Sequence, residues 1–347
     1  MPQIVQGSDD LTKVAEALGA GEVVIFPTET VYGIGANALD AKAVESVYQI
    51  KGRPSDNPMI VHLASVEQLE QVVDEITPLA SKLFGALTPG PLTLIMKRSE
   101  QIPDKVTAGL ETVGIRIPAN PIAHKLLELA QIPVAAPSAN LSGKPSATNL
   151  HDAIEDFASD DRVSYIIGGE PSTVGIESTV LDITVDPPVI LRPGAVTAKQ
   201  ISEVIGQEVA EYHSAKSGVV QPKAPGMKYR HYAPKAKVIV MPRNQLLNEF
   251  AIESFLANLP TELNKKIVGL IVDSEVATKL SKKFLTASKT EIVINSYASI
   301  ESAMHQLFAS FRNLDRAGCG VIIAQAESGS ELAAAYMNRL LKAESKK

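Results

Sequence analysis

Along residues 1–207, short runs that alternate apolar and polar positions take turns with runs where apolar residues recur every three or four. The period-two runs predict strands over 22–27, 59–64, 92–97, 112–118, 163–167, 178–183 and 189–192. The longer period predicts helices over 40–50, 66–73, 78–87, 121–130, 149–157 and 198–205. Two interleaved periods mean a mixed α/β domain; they leave open whether neighbouring strands run parallel.

From residue 236 the alternation is more regular. Strands over 238–241, 267–272, 291–295 and 320–324 take turns with helices over 245–259, 274–284, 299–315 and 330–342. That order predicts a smaller, Rossmann-like, doubly wound C-terminal domain with a parallel sheet. Its first strand runs into Met241, Pro242, Arg243 and Asn244 where a dinucleotide fold would have a glycine-rich turn, so no catalysis is expected there. The domains are therefore read as 1–207 and 236–347, joined by 208–235. Three prolines and two glycines break regular structure in that connection, which ends in Lys228, Tyr229, Arg230, His231 and Tyr232. A basic, aromatic segment of this length reads as a lid or clamp more readily than as a passive linker.

Composition narrows the function classes. The chain has 347 residues, 45% hydrophobic and 21% charged, enough apolar content for an ordinary core in each domain. A net charge of −6 argues against a general nucleic-acid coat. One cysteine, Cys319, excludes an internal disulfide and any Cys/His zinc spacing, and is expected to pack in a strand. The opening MPQIVQGSDDL lacks the basic and apolar regions of a signal peptide, and no apolar run approaches the length that spans a bilayer. A cytoplasmic protein without membrane contact is expected.

No Walker A sequence, nucleophile elbow or H-E-x-x-H motif is present; Gly143 and Lys144 are followed by Pro145. Polar residues at strand ends remain. In PTETVYG, continued alternation would place Thr28 and Thr30 on one side beyond a strand; the alternative is a turn whose hydroxyls bond nearby backbone. Lys51 falls on the helical face of Val44, Val47 and Tyr48, and with Arg53 stands in a Gly/Pro-bounded loop. Those cations suit a triphosphate, or merely complement the helix C-terminus. His62 and Arg116 point away from the apolar residues of their strands, and Arg192 ends another. A lone strand histidine is often structural and a strand arginine often faces water, yet three such residues beside Pro/Gly turns point to a shared pocket. The run from Ala135 to Thr148 offers Ser, Asn and Thr donors between small side chains, or is a loop ending in the cap of a helix at Thr148 or Asn149. The glycine-rich stretch 168–180 is open to the same two readings.

The order PTETVYG, KGRPSDNPMIVH, TPGPLT, VGIRIP, PSANLSGKPSAT, GIESTV, LRPG resembles the YrdC-like family, and the connection and small domain resemble its long form, the threonylcarbamoyl-AMP synthases. That resemblance covers about residues 5–345. It implies a twisted mixed sheet with a concave basic site, and an L-threonylcarbamoyladenylate synthase: L-threonine, bicarbonate or CO2, and ATP give threonylcarbamoyl-AMP and pyrophosphate. A downstream threonylcarbamoyl transferase complex would then modify tRNA next to the anticodon, with no stable nucleic-acid binding by this chain. The resemblance implies Thr30, His62, Arg116, Ser138 and Ser178 for threonine. It implies Lys51, Arg53, Asn57, Thr112, Asn140, Thr148, Arg192 and Tyr232 for ATP, with Lys51 and Arg53 catalytic. Mg2+ would arrive with ATP, as no carboxylate cluster is built to hold it. A double-stranded RNA-binding module is opposed by the net charge. A carbamoyl-transfer enzyme of hydrogenase maturation would need acylphosphatase and zinc-finger regions that this chain lacks.

Overall fold

Caps and turn residues fix where the predicted runs start and stop. The computed structural model describes residues 1–7, 9–211, 232–248, 254, 267–287 and 291–345. Contacts divide the chain into two units, Met1–Ser142 with Ser146–Tyr229, and Gly143–Pro145 with Arg230–Lys347.

The first unit begins with β1 (Gln3–Gln6), α1 (Leu11–Gly19), β2 (Val23–Phe26), β3 (Gly33–Asn37), α2 (Ala41–Lys51) and β4 (Ile60–His62). A 3-10 helix (Val66–Gln71), α3 (Pro78–Leu87), β5 (Leu92–Lys97), α4 (Asp104–Thr107), β6 (Thr112–Arg116), α5 (Pro121–Ala130) and β7 (Val134–Ala135) follow. It closes with α6 (Leu150–Phe157), β8 (Val163–Gly168), β9 (Thr179–Asp182), β10 (Val189–Arg192), α7 (Ala198–Ile205) and β11 (Ala210–Glu211). Asp40 caps α2 by accepting from the amides of Lys42 and Ala43, and Gly52 ends it in the left-handed conformation. Asn149, rather than Thr148, caps α6. The helix expected over 66–73 is a 3-10 turn instead: Ser65 makes no side-chain cap, and Val73 already bridges Arg98. Unpredicted α1 follows Asp10, a left-handed residue that makes no capping bond, so its start carries no sequence signal.

The sheet order is β1-β8-β2-β3-β7-β4-β6-β5-β9-β10-β11, with parallel and antiparallel pairs mixed. One face is covered by α2, α3, α6 and α7, whose Val44, Val47, Leu83, Phe84, Phe157 and Ile201 pack with strand residues such as Val61, Leu94, Ile115 and Leu181. On the opposite face α1 and α5 bring Leu11, Val14, Leu18, Leu126 and Leu127 against Val24, Phe26, Val134 and Ile167. Over the middle strands β4, β5, β6 and β9, alternation from the first core leaves that second face to Ile60, His62, Thr93, Ile95, Gly114, Arg116 and Val180. The functional side chains predicted on strands lie on this face.

The second unit contains β12 (Lys237–Pro242), α8 (Arg243–Leu246), β13 (Ile267–Asp273), α9 (Ser274–Ala287), β14 (Ile292–Tyr297), α10 (Ile300–Arg316), β15 (Cys319–Ala326) and α11 (Glu331–Ala343). Its strands pair in the order β12-β15-β13-β14, every pair parallel. Ser299 and Ser330 cap α10 and α11 through their hydroxyls. Cys319 is buried at the start of β15. Of the helix expected over 245–259, most lies outside the described residues, as does most of the predicted lid. Among the described residues no helix is long and apolar enough to cross a membrane.

Candidate active site

The strand register gathers the candidate residues at one edge of the large sheet. His62 ends β4 directly beside Arg116, which ends the parallel β6. Leu92 of β5 lies beside Thr179 of β9, so Ser178 falls at that edge, and Arg192 ends β10 opposite Val180. Gly33 opens β3 opposite Phe26 and bridges Ser138, which brings both the Thr28–Thr30 turn and the Ser138 loop to the same edge.

At the centre Arg116 is 4% exposed, not turned to water. Its Nη1 donates to the Thr30 hydroxyl at 2.8 Å and its Nε to the Gly90 carbonyl at 3.4 Å. Its Nη2 stands 2.7 Å from Glu29 Oε1, an ion pair without hydrogen-bond alignment, so both atoms are buried with no hydrogen-bond partner. Of the two readings open beyond Phe26, the structure shows the turn. The chain bends at residues 29–31, and the Thr28 hydroxyl donates to the Val31 carbonyl at 2.6 Å. Thr28 thus stabilises the turn, while Thr30 faces the arginine. His62 is buried, edge-on to Phe26, and its Nδ1 has no hydrogen-bond partner. Burial, with the Arg116 charge second, pushes its pKa down to about 3, so the ring is neutral at ordinary pH. Ser178 pairs with the Thr93 hydroxyl at 2.8 Å, and Arg192 reaches it through Nη2 at 3.1 Å and its carbonyl through Nε at 3.0 Å.

Lys51 does not serve the C-terminus of its own helix. Its ammonium is buried and donates to the carbonyls of Ser138 and, at 2.6 Å, Asn140. Burial, then the Arg53 charge, holds its pKa well below the usual lysine range, while Asp156 and Glu177 pull it back up. The Ser138 hydroxyl donates to Asn140 Oδ1 at 2.6 Å, and the Ser142 amide closes on the Lys51 carbonyl at 2.9 Å. Arg53 Nη2 donates to the carbonyls of Asn57 and Pro58 at 3.2 and 2.9 Å. Asn57 is buried with Oδ1 unpartnered. Thr148 is buried, and its carbonyl accepts from the Ser172 amide at 2.8 Å. Thr112 stands apart from the edge cluster: it opens β6, four residues and roughly 13 Å from Arg116. The register of β4 with β6 puts it near Pro58, so Arg53, Asn57 and Thr112 form a second group at the other end of these strands. Tyr232 belongs to the second unit, where it is buried and its ring stacks on Phe308 at 5.1 Å.

Sequence reading overlooked Glu29 and Thr93. Thr93 was accessible to it, since Leu92 and Leu94 face the core and Thr93 therefore faces the site. Glu29 carries no local signal, because its partner lies 87 residues away. Among the described residues, His151, Asp152 and Glu155 on α6 are a group spaced for a metal, with His151 and Glu155 exposed; none belongs to the predicted nucleotide set.

Residues 16–194 match the family Sua5_yciO_yrdC, described as "Telomere recombination", and residues 196–345 match "Threonylcarbamoyl-AMP synthase, C-terminal domain". The chain is 45% identical to the threonylcarbamoyl-AMP synthase of Pyrococcus abyssi over 93% of its own length and 90% of the relative's. It is 38% identical to that of Bacillus subtilis over 99% of its own length and 93% of the relative's. The structure of P. abyssi Sua5 complexed with L-threonine superposes with a TM-score of 0.87 at 42% identity, covering 99% of this chain and 97% of that one. The chain belongs to the threonylcarbamoyl-AMP synthase family, in its two-domain form.

Proposed function

We infer that this protein condenses L-threonine, bicarbonate or CO2, and ATP into threonylcarbamoyl-AMP and pyrophosphate. The observation that carries this reading is a pair of cationic clusters. One is built on buried Arg116, beside hydroxyls, Glu29 and a neutral histidine. The other is built on Lys51 and Arg53. The relative solved with L-threonine supports threonine as a substrate.

Arg116 takes the threonine carboxylate, with Thr30, His62, Ser138 and Ser178 around the rest of the substrate. Threonine's ammonium and bicarbonate give a carbamate, water and a proton. A carbamate oxygen then bonds to the α-phosphorus of ATP while the bond to the pyrophosphate leaving group breaks. Such a step needs alignment and charge neutralisation more than a protein nucleophile. Arg53 supplies charge at the phosphates, and Lys51, whose pKa burial lowers, gains its charge more readily beside a bound triphosphate. Asn57, Thr112, Asn140, Thr148 and Arg192 complete the proposed nucleotide set of the first unit, with Arg53, Asn57 and Thr112 forming its distal part. This set offers cations, amides and hydroxyls, which fits Mg2+ held by phosphate oxygens and water; the ion would draw charge from the phosphoryl oxygens. The product would pass to a threonylcarbamoyl transferase complex acting on tRNA, in the cytoplasm.

The test is pyrophosphate release from ATP with Mg2+, with and without L-threonine and bicarbonate. Release that requires both supports the reading; release indifferent to threonine overturns it.

A further inference from the structure

Glu29 is the carboxylate that the threonine seat does not need for its carboxylate-binding arginine. Its side chain is more than nine-tenths buried, on the turn that also carries Thr30. The carbonyl of Glu29 accepts from the Val174 amide at 2.7 Å, so the backbone is pinned. Oε2 accepts a long bond from the Asn120 amide at 3.4 Å. Oε1 lies 2.7 Å from Arg116 Nη2 without alignment, and neither atom has a hydrogen-bond partner. The two atoms are ion-paired but not aligned for a hydrogen bond, so each keeps hydrogen-bonding capacity that a ligand can complete. A carboxylate serves Nη2, and a cationic donor suits Oε1.

We propose that Glu29 Oε1 binds the α-ammonium of the amino-acid substrate, making Glu29 and Arg116 a two-charge clamp for the zwitterion. This rests on reading the Arg116 edge as the threonine seat. Before carbamate formation the substrate nitrogen is cationic and attracted to Glu29. Afterwards the nitrogen is neutral and bears a carboxylate, which Glu29 repels and Lys51 and Arg53 attract. Glu29 thus retains the incoming amino acid, and the two cations have to outweigh it to draw the carbamate on toward the phosphates. An amino acid is selected over the corresponding hydroxy acid, because only the former brings a cation to Oε1.

The experiment is calorimetric titration of the full chain with L-threonine and with the 2,3-dihydroxybutanoate of matching configuration, in which a hydroxyl replaces the ammonium. The wild type should prefer threonine by roughly ten- to a hundredfold, the range of one charge-assisted hydrogen bond. Glu29→Gln should reduce that preference to within about threefold, chiefly by weakening threonine, and Glu29→Asp should restore part of it. A wild type that binds both acids equally overturns the proposal even if the variants fail to fold. A Glu29→Gln protein weakened equally for both also overturns it, reducing Glu29 to a support for Arg116. A wild type that binds neither acid, while still binding ATP, removes the threonine seat itself.

Discussion

His62 should make the first unit sensitive to mild acid. The unfolded imidazole takes its proton near 6.5 and the folded one only at about 3, because burial and the Arg116 charge oppose the cation. A depressed folded pKa means that the full stability is present above the unfolded value and is lost as pH falls toward the folded value. Between pH 7 and pH 5 the unfolded chain gains about three quarters of a proton at this ring and the folded chain gains almost none. Linkage then gives a loss of about 2 kcal/mol from this one residue. His62→Gln removes the titration and keeps a polar side chain of similar reach. Urea denaturation at pH 7, 6 and 5, followed by circular dichroism, isolates the effect as a difference between proteins. The variant should lose about 2 kcal/mol less than the wild type over that interval, in the transition belonging to the first unit. Parallel losses would refute the reasoning, since they would mean that the folded ring takes up its proton as readily as the unfolded one.

Further substitutions separate chemistry from packing. Arg53→Ala should lower threonine-dependent pyrophosphate release by roughly a hundredfold or more with the circular dichroism spectrum unchanged, and retained turnover would remove its phosphate role. Gly194→Ala should destabilise the first unit by about 1–3 kcal/mol in urea denaturation, because a Cβ there would sit 2.4 Å from the Thr179 amide nitrogen, which cannot move aside cheaply. The same substitution should weaken threonine binding by displacing Arg192 from Ser178. Gly85→Ala acts oppositely: the glycine is exposed within α3 with no neighbour within 4 Å, so the added methyl should stabilise by about 0.5–1 kcal/mol.

How much of this was legible depended on whether the deciding contact was local. Helical spacing placed Lys51 on the face of Val44, Val47 and Tyr48, and the structure buries it there. Alternation turned His62 and Arg116 away from the core side chains of their strands. It could not say that Arg116 is buried, since that depends on Gly90, Thr30 and Glu29, brought in by the turns before β5 and β3. For Thr28 and Thr30 alternation left open an extended path or a turn bonded to nearby backbone; the Thr28 bond to the Val31 carbonyl makes the turn, and the two hydroxyls still meet at 2.9 Å. Two-residue β7 and glycine-bearing β3 fall below what periodicity detects, yet they connect the outer strands to β4 in the sheet. The helical-spacing, period-two and turn signals do not encode which strands become neighbours, and the gathering of the site at one edge follows from that order.

The contacts described for the cations of the site include main-chain carbonyls: Ser138 and Asn140 for Lys51, Asn57 and Pro58 for Arg53, Gly90 for Arg116, Ser178 for Arg192. A carbonyl dipole orients a cation without contributing an integer charge, so these contacts fix the geometry of the side chains. Arg116 also faces Glu29 at 2.7 Å. A pair of opposite charges suits a substrate that carries both signs, which is why the proposed amino-acid seat is centred on Arg116.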